Sequence, residues 1–293
     1  MKKLMLTAAI VCAAVMSYGA AVQWDAGTIL DANGDTAGKN QVAGYLFAIT
    51  ADAYTNYSKL DAATLSETLY ADYIFRYHPA FAGKVKRYYD RSFHGSIEGG
   101  DVLILSRDTI AVGISQRTSP DGIETAARSF FRDPACPVRR VLAFDIPNCR
   151  AFMHLDTVFT QVDRDRFTIH PAILGPLTVY ELSPGPRDKG GLSIRQIDSD
   201  LEHILAGALG VDKVELISCG GDDMIAAARE QWNDGSNTLC VAPGKIVVYE
   251  RNEITNEILR DKGLTVLEIP SAELSRGRGG PRCMSMPLVR AEP

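Results

Sequence analysis

Residues 238–269 read TLCVAPGKIVVYERNEITNEILRDKGLTVLEI, and their pattern predicts how the rest of the chain is built. Two short apolar runs flank a Pro-Gly turn, which is typical of paired strands, and the apolar spacing that follows them is typical of a helix. A last apolar run predicts one more strand. The predicted elements are strands Thr238–Ala242 and Lys245–Tyr249, helix Asn252–Asp261 and strand Leu264–Ile269.

The same strand-strand-helix-strand order occurs twice more upstream. One copy comprises Val102–Leu105, Ile110–Ile114, a helix opening at Ser119-Pro120 with apolar spacing over Ile123–Phe131, and Val138–Ile146. Ser suits the N-cap of that helix and Pro its first position. A looser copy comprises Asp156–Gln161, Arg166–His170, Val179–Leu182, helix Ser199–Gly210 and Val214–Ser218, with helix Met224–Trp232 after it. Recurrence predicts an α/β protein of repeated ββαβ modules that share a core; the alternative is an ordinary α/β sandwich.

Composition excludes several classes of protein. The 293 residues carry a formal net charge of −5 with both signs interspersed, so nothing indicates binding to nucleic acid or to an anionic membrane. The cysteines lack CxxC spacing, which argues against a zinc knuckle and a dense disulfide framework. They are Cys12, Cys136, Cys149, Cys219, Cys240 and Cys283.

The N-terminus has the order of a secretory signal. Lys2 and Lys3 precede an apolar run, Leu4–Met16, and a small-residue stretch follows at 17–21. This order predicts a signal-like segment over 1–20; the alternative is a buried N-terminal helix. Residues 21–66 form an appended segment without recognisable chemistry, so a boundary is expected near Glu67.

Cys283 lies in SRGRGGPRCMSMP, residues 275–287. Glycines let a loop bend around a ligand, and Arg276, Arg278 and Arg282 would stabilise the nucleophilic thiolate form of the cysteine. The stretch therefore predicts a reactive cysteine. The alternatives are a small buried hydrophobic residue and, on the Arg-Gly run, a nucleic-acid-binding segment.

Polar residues elsewhere complete the inventory of a site. His154 and Asp156 are expected on one face of a strand, where they offer an acid/base and an acceptor; an edge-strand pair or a metal pair is the alternative. Glu98, before a Gly-Gly turn, is placed to enter a cleft, and Arg117 to clamp a carboxylate. A plain turn and a surface salt bridge are the alternatives. Together these residues suit a substrate with a guanidinium at one end and a carboxylate at the other.

Seven sequence motifs, spread over about three quarters of the chain, resemble those of arginine deiminases. They are YADYIFRYHP (70–79), IEGGD (97–101), GISQRT (113–118), FDIP (144–147), AFMHLDTVFT (151–160), REQWNDGSN (229–237) and SRGRGGPRCMSMP (275–287). The resemblance implies hydrolysis of L-arginine to L-citrulline and ammonia on a pentein fold, an α/β propeller of ββαβ modules, in residues 67–293. It implies no metal or organic cofactor.

The resemblance also assigns roles. Cys283 would be the nucleophile and His154 the acid/base; Glu98 and Asp156 would hold the substrate guanidinium, and Arg117 and Arg278 its α-carboxylate. Amidinotransferases and dimethylarginine hydrolases of the same superfamily are the alternatives to a deiminase.

The chain departs from the family pattern in its first part. A family motif resembling FTRDP, which supplies a further carboxylate before the Glu98 motif, has no counterpart there; FFRDP at 130–134 comes too late. We therefore expect an incomplete propeller. Two explanations are open. One is a fragment or fused gene whose product keeps the family's motifs but little or no activity, and the other is a partner chain that supplies the missing modules. The alternative function is an inactive or partner-dependent exported fragment that only binds arginine-like ligands. A homo-oligomer is also considered. The resemblance implies a cytoplasmic enzyme, whereas the signal-like start predicts export.

Overall fold

The computed structural model describes residues 71–285, except 91–92, 94, 148–151, 176, 187–190, 273 and 275–278. The predicted signal-like segment, the appended segment and Arg278 therefore lie outside the described residues. No helix within the described ranges is both long enough and apolar enough to cross a bilayer.

The first module is built as its sequence predicts. It consists of β1 (Val102–Ile104), β2 (Thr109–Ile114), α1 (Pro120–Arg132) and β3 (Arg140–Asp145). Strand β2 pairs antiparallel with β1 and parallel with β3, so α1 is the crossover that a parallel pair requires. The Ser119 hydroxyl accepts a hydrogen bond from the Gly122 N–H and caps α1.

The second module contains α2 (Leu155–Val158), β4 (Phe159–Gln161), β5 (Arg166–Ile169), α3 (Leu201–Leu209) and β8 (Glu215–Ser218). After α4 (Met224–Trp232), the third contains β9 (Leu239–Ala242), β10 (Lys245–Tyr249), α5 (Glu253–Asp261) and β11 (Thr265–Ile269). The central strands β5 and β10 each have one antiparallel and one parallel neighbour, as β2 does. The predicted order of elements in the three modules is thus confirmed.

A long hairpin interrupts the second module and joins the first sheet. Its strands β6 (Leu177–Pro184) and β7 (Leu192–Ser199) pair over eight residues, and β6 also pairs with β3. Only part of β6 is predicted from the sequence, and β7 is not predicted. The start of the following helix at Ser199 is wrong, because Ser199 ends β7 and Asp200 caps α3.

Neighbouring modules share hydrophobic cores, as the repeat predicts. The largest core joins Leu142 and Phe144 of the first sheet to Phe159 and Phe167 of the second module. A smaller core joins Ile217 of the second module to strand β10 and helix α5 of the third. Since no module buries its apolar faces alone, their relative positions are fixed by the same burial that stabilises them. That arrangement brings the loops of different modules together.

Candidate active site

Three chain segments converge at the predicted site residues. The turn before β1 carries Glu98, the α2 turn carries Asp156 two residues after His154, and the loop after β11 carries Cys283. The His154 ring contacts Glu98, and the Cys283 thiol contacts Asp156. Since His154 and Asp156 belong to one short stretch of backbone, the two contacts lie side by side.

Glu98 is the centre of the first contact group. Its Oε2 lies against Nε2 of His154, and its Oε1 lies 3.6 Å from Nη1 of Arg117. The Glu98 N–H donates to the Thr118 hydroxyl at 3.0 Å, which fixes the start of the turn. One carboxylate therefore faces an imidazole on one side and a guanidinium on the other.

The charges of this group determine its protonation. Burial lowers the pKa of His154, but the hydrogen bond and charge of Glu98, with the charges of Asp101 and Asp156, outweigh burial and raise it to about 9. Burial raises the pKa of Glu98, yet His154 and Arg117 bring it below the ordinary value. Near neutral pH, His154 is therefore an imidazolium that can donate a proton.

The predicted strand at His154–Asp156 is wrong. His154 has extended backbone angles but caps α2, a four-residue helical turn in which every residue is buried, and β4 begins only at Phe159. Strand alternation assumes one buried and one open face, and this turn has no open face. His154 and Asp156 are only two residues apart in the sequence, so both still lie at the site.

Asp156 is the centre of the second contact group and is fully buried. Its Oδ2 accepts a hydrogen bond from Nη1 of Arg282 at 2.6 Å and lies 3.5 Å from the Cys283 Sγ. Its Oδ1 has no hydrogen-bond partner within the described part of the chain. Buried carboxylate oxygens are rarely left unpaired, so Oδ1 is an acceptor that awaits a donor.

The thiol of Cys283 is protonated in this arrangement. Burial raises its pKa well above the ordinary value, the charges of Asp156 and Asp234 raise it further, and Arg282 and the Gly280 N–H only partly compensate. Among the described residues, Arg282 acts in the predicted direction but is outweighed. Arg276 and Arg278 lie outside the described residues.

Asp101 organises the site but was not singled out from the sequence. It is fully buried, and its carboxylate accepts hydrogen bonds from the Leu155 N–H at 2.9 Å, the Ser115 hydroxyl at 2.7 Å and the Thr118 hydroxyl at 2.6 Å. A Cβ on Gly113 would lie 2.5 Å from Asp101 Oδ1, which explains the glycine in that strand. The only sequence signal for Asp101 was its place at the end of the Glu-Gly-Gly-Asp motif.

Of the other predicted residues, Arg117 faces Glu98, whereas the position of Arg278 is not described. Within the described ranges no group of three His, Cys, Asp or Glu side chains could hold a metal ion. The arrangement instead offers a nucleophile, a proton donor and two carboxylates, which is the set needed to attack a flat cation.

Comparison with known proteins gives one family. The arginine deiminase family model matches residues 60–290. Arginine deiminases from Treponema denticola and Clostridium perfringens are 61% and 58% identical over 226 and 228 residues, or 77% of this chain and 55% of each relative. The chain thus spans about half the length of the curated relatives it matches.

Solved structures agree on the fold. ArgZ, an arginine dihydrolase from the ornithine-ammonia cycle in cyanobacteria, matches with a TM-score of 0.54 and 14% identity, over 85% of this chain and 33% of that one. The product-bound N-terminal domain of ArgZ matches with a TM-score of 0.51 and 16% identity, over 83% of this chain and 75% of that one. At these identities the likeness concerns the fold alone, and it is the pentein fold.

Proposed function

Because this chain belongs to the arginine deiminase family, we propose that its site hydrolyses L-arginine to L-citrulline and ammonia through a covalent Cys283 intermediate. The observation that carries the proposal is the contact of Asp156 with the Cys283 thiol beside the His154–Glu98 pair. A carboxylate that holds a guanidinium there brings the guanidinium carbon to the sulfur and keeps a proton donor within reach.

Substrate binding uses two carboxylates and the arginines. The substrate guanidinium donates to the unpartnered Asp156 Oδ1 and to Glu98, and both bonds are charge-assisted. At the other end, Arg117 exchanges its 3.6 Å contact with Glu98 for the α-carboxylate, for which its fork of N–H groups is suited. Arg278 has the same role by the family resemblance.

The substrate itself then activates the thiol. The pKa of Cys283 is raised by burial and by the charges of Asp156 and Asp234. A cation bound at Asp156 offsets part of this negative charge and therefore lowers the pKa of the thiol. The thiol proton leaves to water, and the thiolate remains next to the guanidinium. Activation that depends on the substrate protects the sulfur until arginine binds, because the thiol form is a poor nucleophile.

The chemical steps balance with the groups present. The thiolate adds to the guanidinium carbon and forms a C–S bond; His154 donates its proton to a terminal nitrogen, which leaves as ammonia. A thiouronium remains on Cys283. Neutral His154 then takes a proton from water, and the hydroxide adds to the same carbon. The C–S bond breaks as the carbonyl forms, and the remaining proton of the added hydroxyl leaves to bulk water. The products are citrulline and the regenerated thiolate.

One observation favours a second function, binding of arginine-like ligands without turnover. Both carboxylates that would hold the substrate already contact cations of the chain itself, Glu98 with His154 and Asp156 with Arg282. A ligand that only exchanges these contacts would bind without placing its carbon on the sulfur. Binding and turnover must therefore be measured separately.

The test is citrulline and ammonia production by the purified chain. Cys283→Ala should abolish both, whereas Cys240→Ala, the matched control at another partly buried thiol, should retain both. Intact mass after acid quench should show arginine less ammonia attached to the wild type alone. Arginine binding by calorimetry without product would select the second function, and absence of binding would reject both.

We propose in addition that residues 67–293 carry the function and that the enzyme is cytoplasmic, as the resemblance implies. The intact mass of the expressed chain tests the location, because removal of a signal would shorten it near Ala21.

A substrate panel with methylated arginine and with agmatine, which lacks the carboxylate, tests the choice of arginine. Light scattering on an exclusion column tests whether the chain forms a homo-oligomer.

A further inference from the structure

Asn237 links the two halves of the site through one buried side chain. It lies in the loop between α4 and β9 and is 1% exposed. Its Nδ2 donates to the backbone carbonyl of Asp156 at 3.2 Å. Its Oδ1 accepts from the backbone N–H of Arg282 at 3.1 Å and of Cys283 at 3.2 Å.

These partners fix the orientation of the amide. Two N–H groups need an acceptor and one carbonyl needs a donor, and the single Asn237 carboxamide supplies both. The partners lie far away in sequence, Asp156 81 residues before Asn237 and Cys283 46 residues after it. Asn237 therefore joins backbone segments that are far apart along the chain.

The packing around Asn237 is as restrictive as its hydrogen bonds. A Cβ on Gly280 would lie 2.5 Å from Asn237 Oδ1 and 2.7 Å from its Cβ, so the loop bearing Cys283 approaches the amide as closely as backbone can. The end of helix α4 also reaches α2 through Gln231, whose Nε2 donates to the Thr157 carbonyl and whose Oε1 accepts from Ser236 in the α4–β9 loop.

We infer that Asn237 is a positioning residue for the nucleophile: it sets the backbone of Cys283 against the backbone of Asp156, so that the sulfur meets the carboxylate that binds the guanidinium. Asn237 acts on the reaction only through these two residues. The inference rests on the proposed role of Cys283, but the placement of the thiol can be measured without turnover.

The test is the rate at which iodoacetamide alkylates Cys283, followed by peptide mass over a range of pH. Asn237→Ala frees two N–H groups and loosens the loop, so the thiol gains water, its pKa falls and alkylation should be at least about fivefold faster near neutral pH. Asn237→Asp keeps the acceptor oxygen, and the two N–H donors favour its ionised form. The added charge beside the thiol should make alkylation at least about threefold slower.

Opposite effects of two substitutions at one position separate positioning from a general loss of structure. Cys240, partly buried and bonded to the Val162 carbonyl, is the internal reference and should react alike in all proteins. Asn233→Ala is the matched control, because that amide donates to the Arg229 carbonyl on its own helix. If turnover is present, Asn237→Ala should lower kcat at least about tenfold and change KM less than about twofold.

Alkylation of Cys283 that is the same in wild type and Asn237→Ala would overturn the inference, as would a change in the same direction in both variants. If the Ala variant does not fold, the isosteric Asp variant decides alone: a rate equal to that of the wild type overturns the inference. Failure of the proposed function would appear differently, as the predicted alkylation pattern without any citrulline.

Discussion

Glu98→Gln removes the partner that keeps His154 charged. In the wild type the pKa of His154 is about 9, against an ordinary value of 6.5. One pKa unit corresponds to about 1.4 kcal/mol, so the surroundings of the folded ring favour its charged form by about 3 kcal/mol. Because the His154 side chain is only 14% exposed, solvent screening takes little from this value. In the variant, burial remains and the main opposing group is lost, so the pKa should fall by about 2.

The consequence for stability follows from proton binding. The folded wild type binds the His154 proton more tightly than the unfolded chain, so this stabilisation is complete below pH 6.5 or so and is lost as pH rises towards about 9. The wild type should lose about 3 kcal/mol of unfolding free energy across this window, and Glu98→Gln less than about 1 kcal/mol.

Two measurements check this prediction. Histidine ring resonances followed by NMR give the pKa directly, with His154→Gln to assign the signal, and denaturant unfolding at several pH values gives the stability. His203→Gln is the control: its ring is exposed beside Asp200, where an ion pair contributes little, so the pH dependence should be that of the wild type. A wild-type His154 that titrates near its ordinary pKa, or equal pH slopes in wild type and Glu98→Gln, would refute the reasoning.

Three further substitutions have definite expected results. Gly100→Ala would place a Cβ 2.7 Å from the His154 ring, so we expect a loss of about 1–3 kcal/mol in unfolding free energy and a His154 resonance that no longer reports Glu98; unchanged spectra would contradict this. Asp101→Ala leaves the Leu155 N–H without its acceptor and should cost about 3–5 kcal/mol by denaturant unfolding, a loss below about 1 kcal/mol being inconsistent with three buried hydrogen bonds. Glu230→Gln weakens the buried carboxylate that caps α5 and should cost about 1–3 kcal/mol, with earlier amide exchange in that helix than in α1.

Local patterns were enough to predict most of the fold. The hairpin-helix-strand modules were found because turn chemistry and apolar spacing recur, and α4 and β10 were predicted with their observed bounds, Met224–Trp232 and Lys245–Tyr249. Strand β7 was missed because it lies at the edge of its sheet: Ile194 is 53% exposed, so burial did not impose a clean alternation on its sequence.

For the site, the sequence likewise predicted some residues and missed others. Residue types and motifs identified the residues that could perform the chemistry, and Glu98, His154, Asp156 and Cys283 do lie in contact groups. What joins them could not be read from the sequence, because Asp101 and Asn237 act through partners distant along the chain. Protonation was also beyond the sequence, since it depends on the balance between burial and neighbouring charges.

The unpartnered Asp156 Oδ1 has a consequence for the end of the reaction cycle. Arginine carries a cation, whereas citrulline carries a neutral urea that is held by weaker, uncharged hydrogen bonds. In the proposed reaction the ligand loses its positive charge, so the Asp156 carboxylate would attract it less, and Arg282, already on the neighbouring oxygen, would become the stronger competitor. If the proposed reaction takes place, the oxygen that attracts arginine therefore also favours release of the product, and added citrulline should inhibit only weakly.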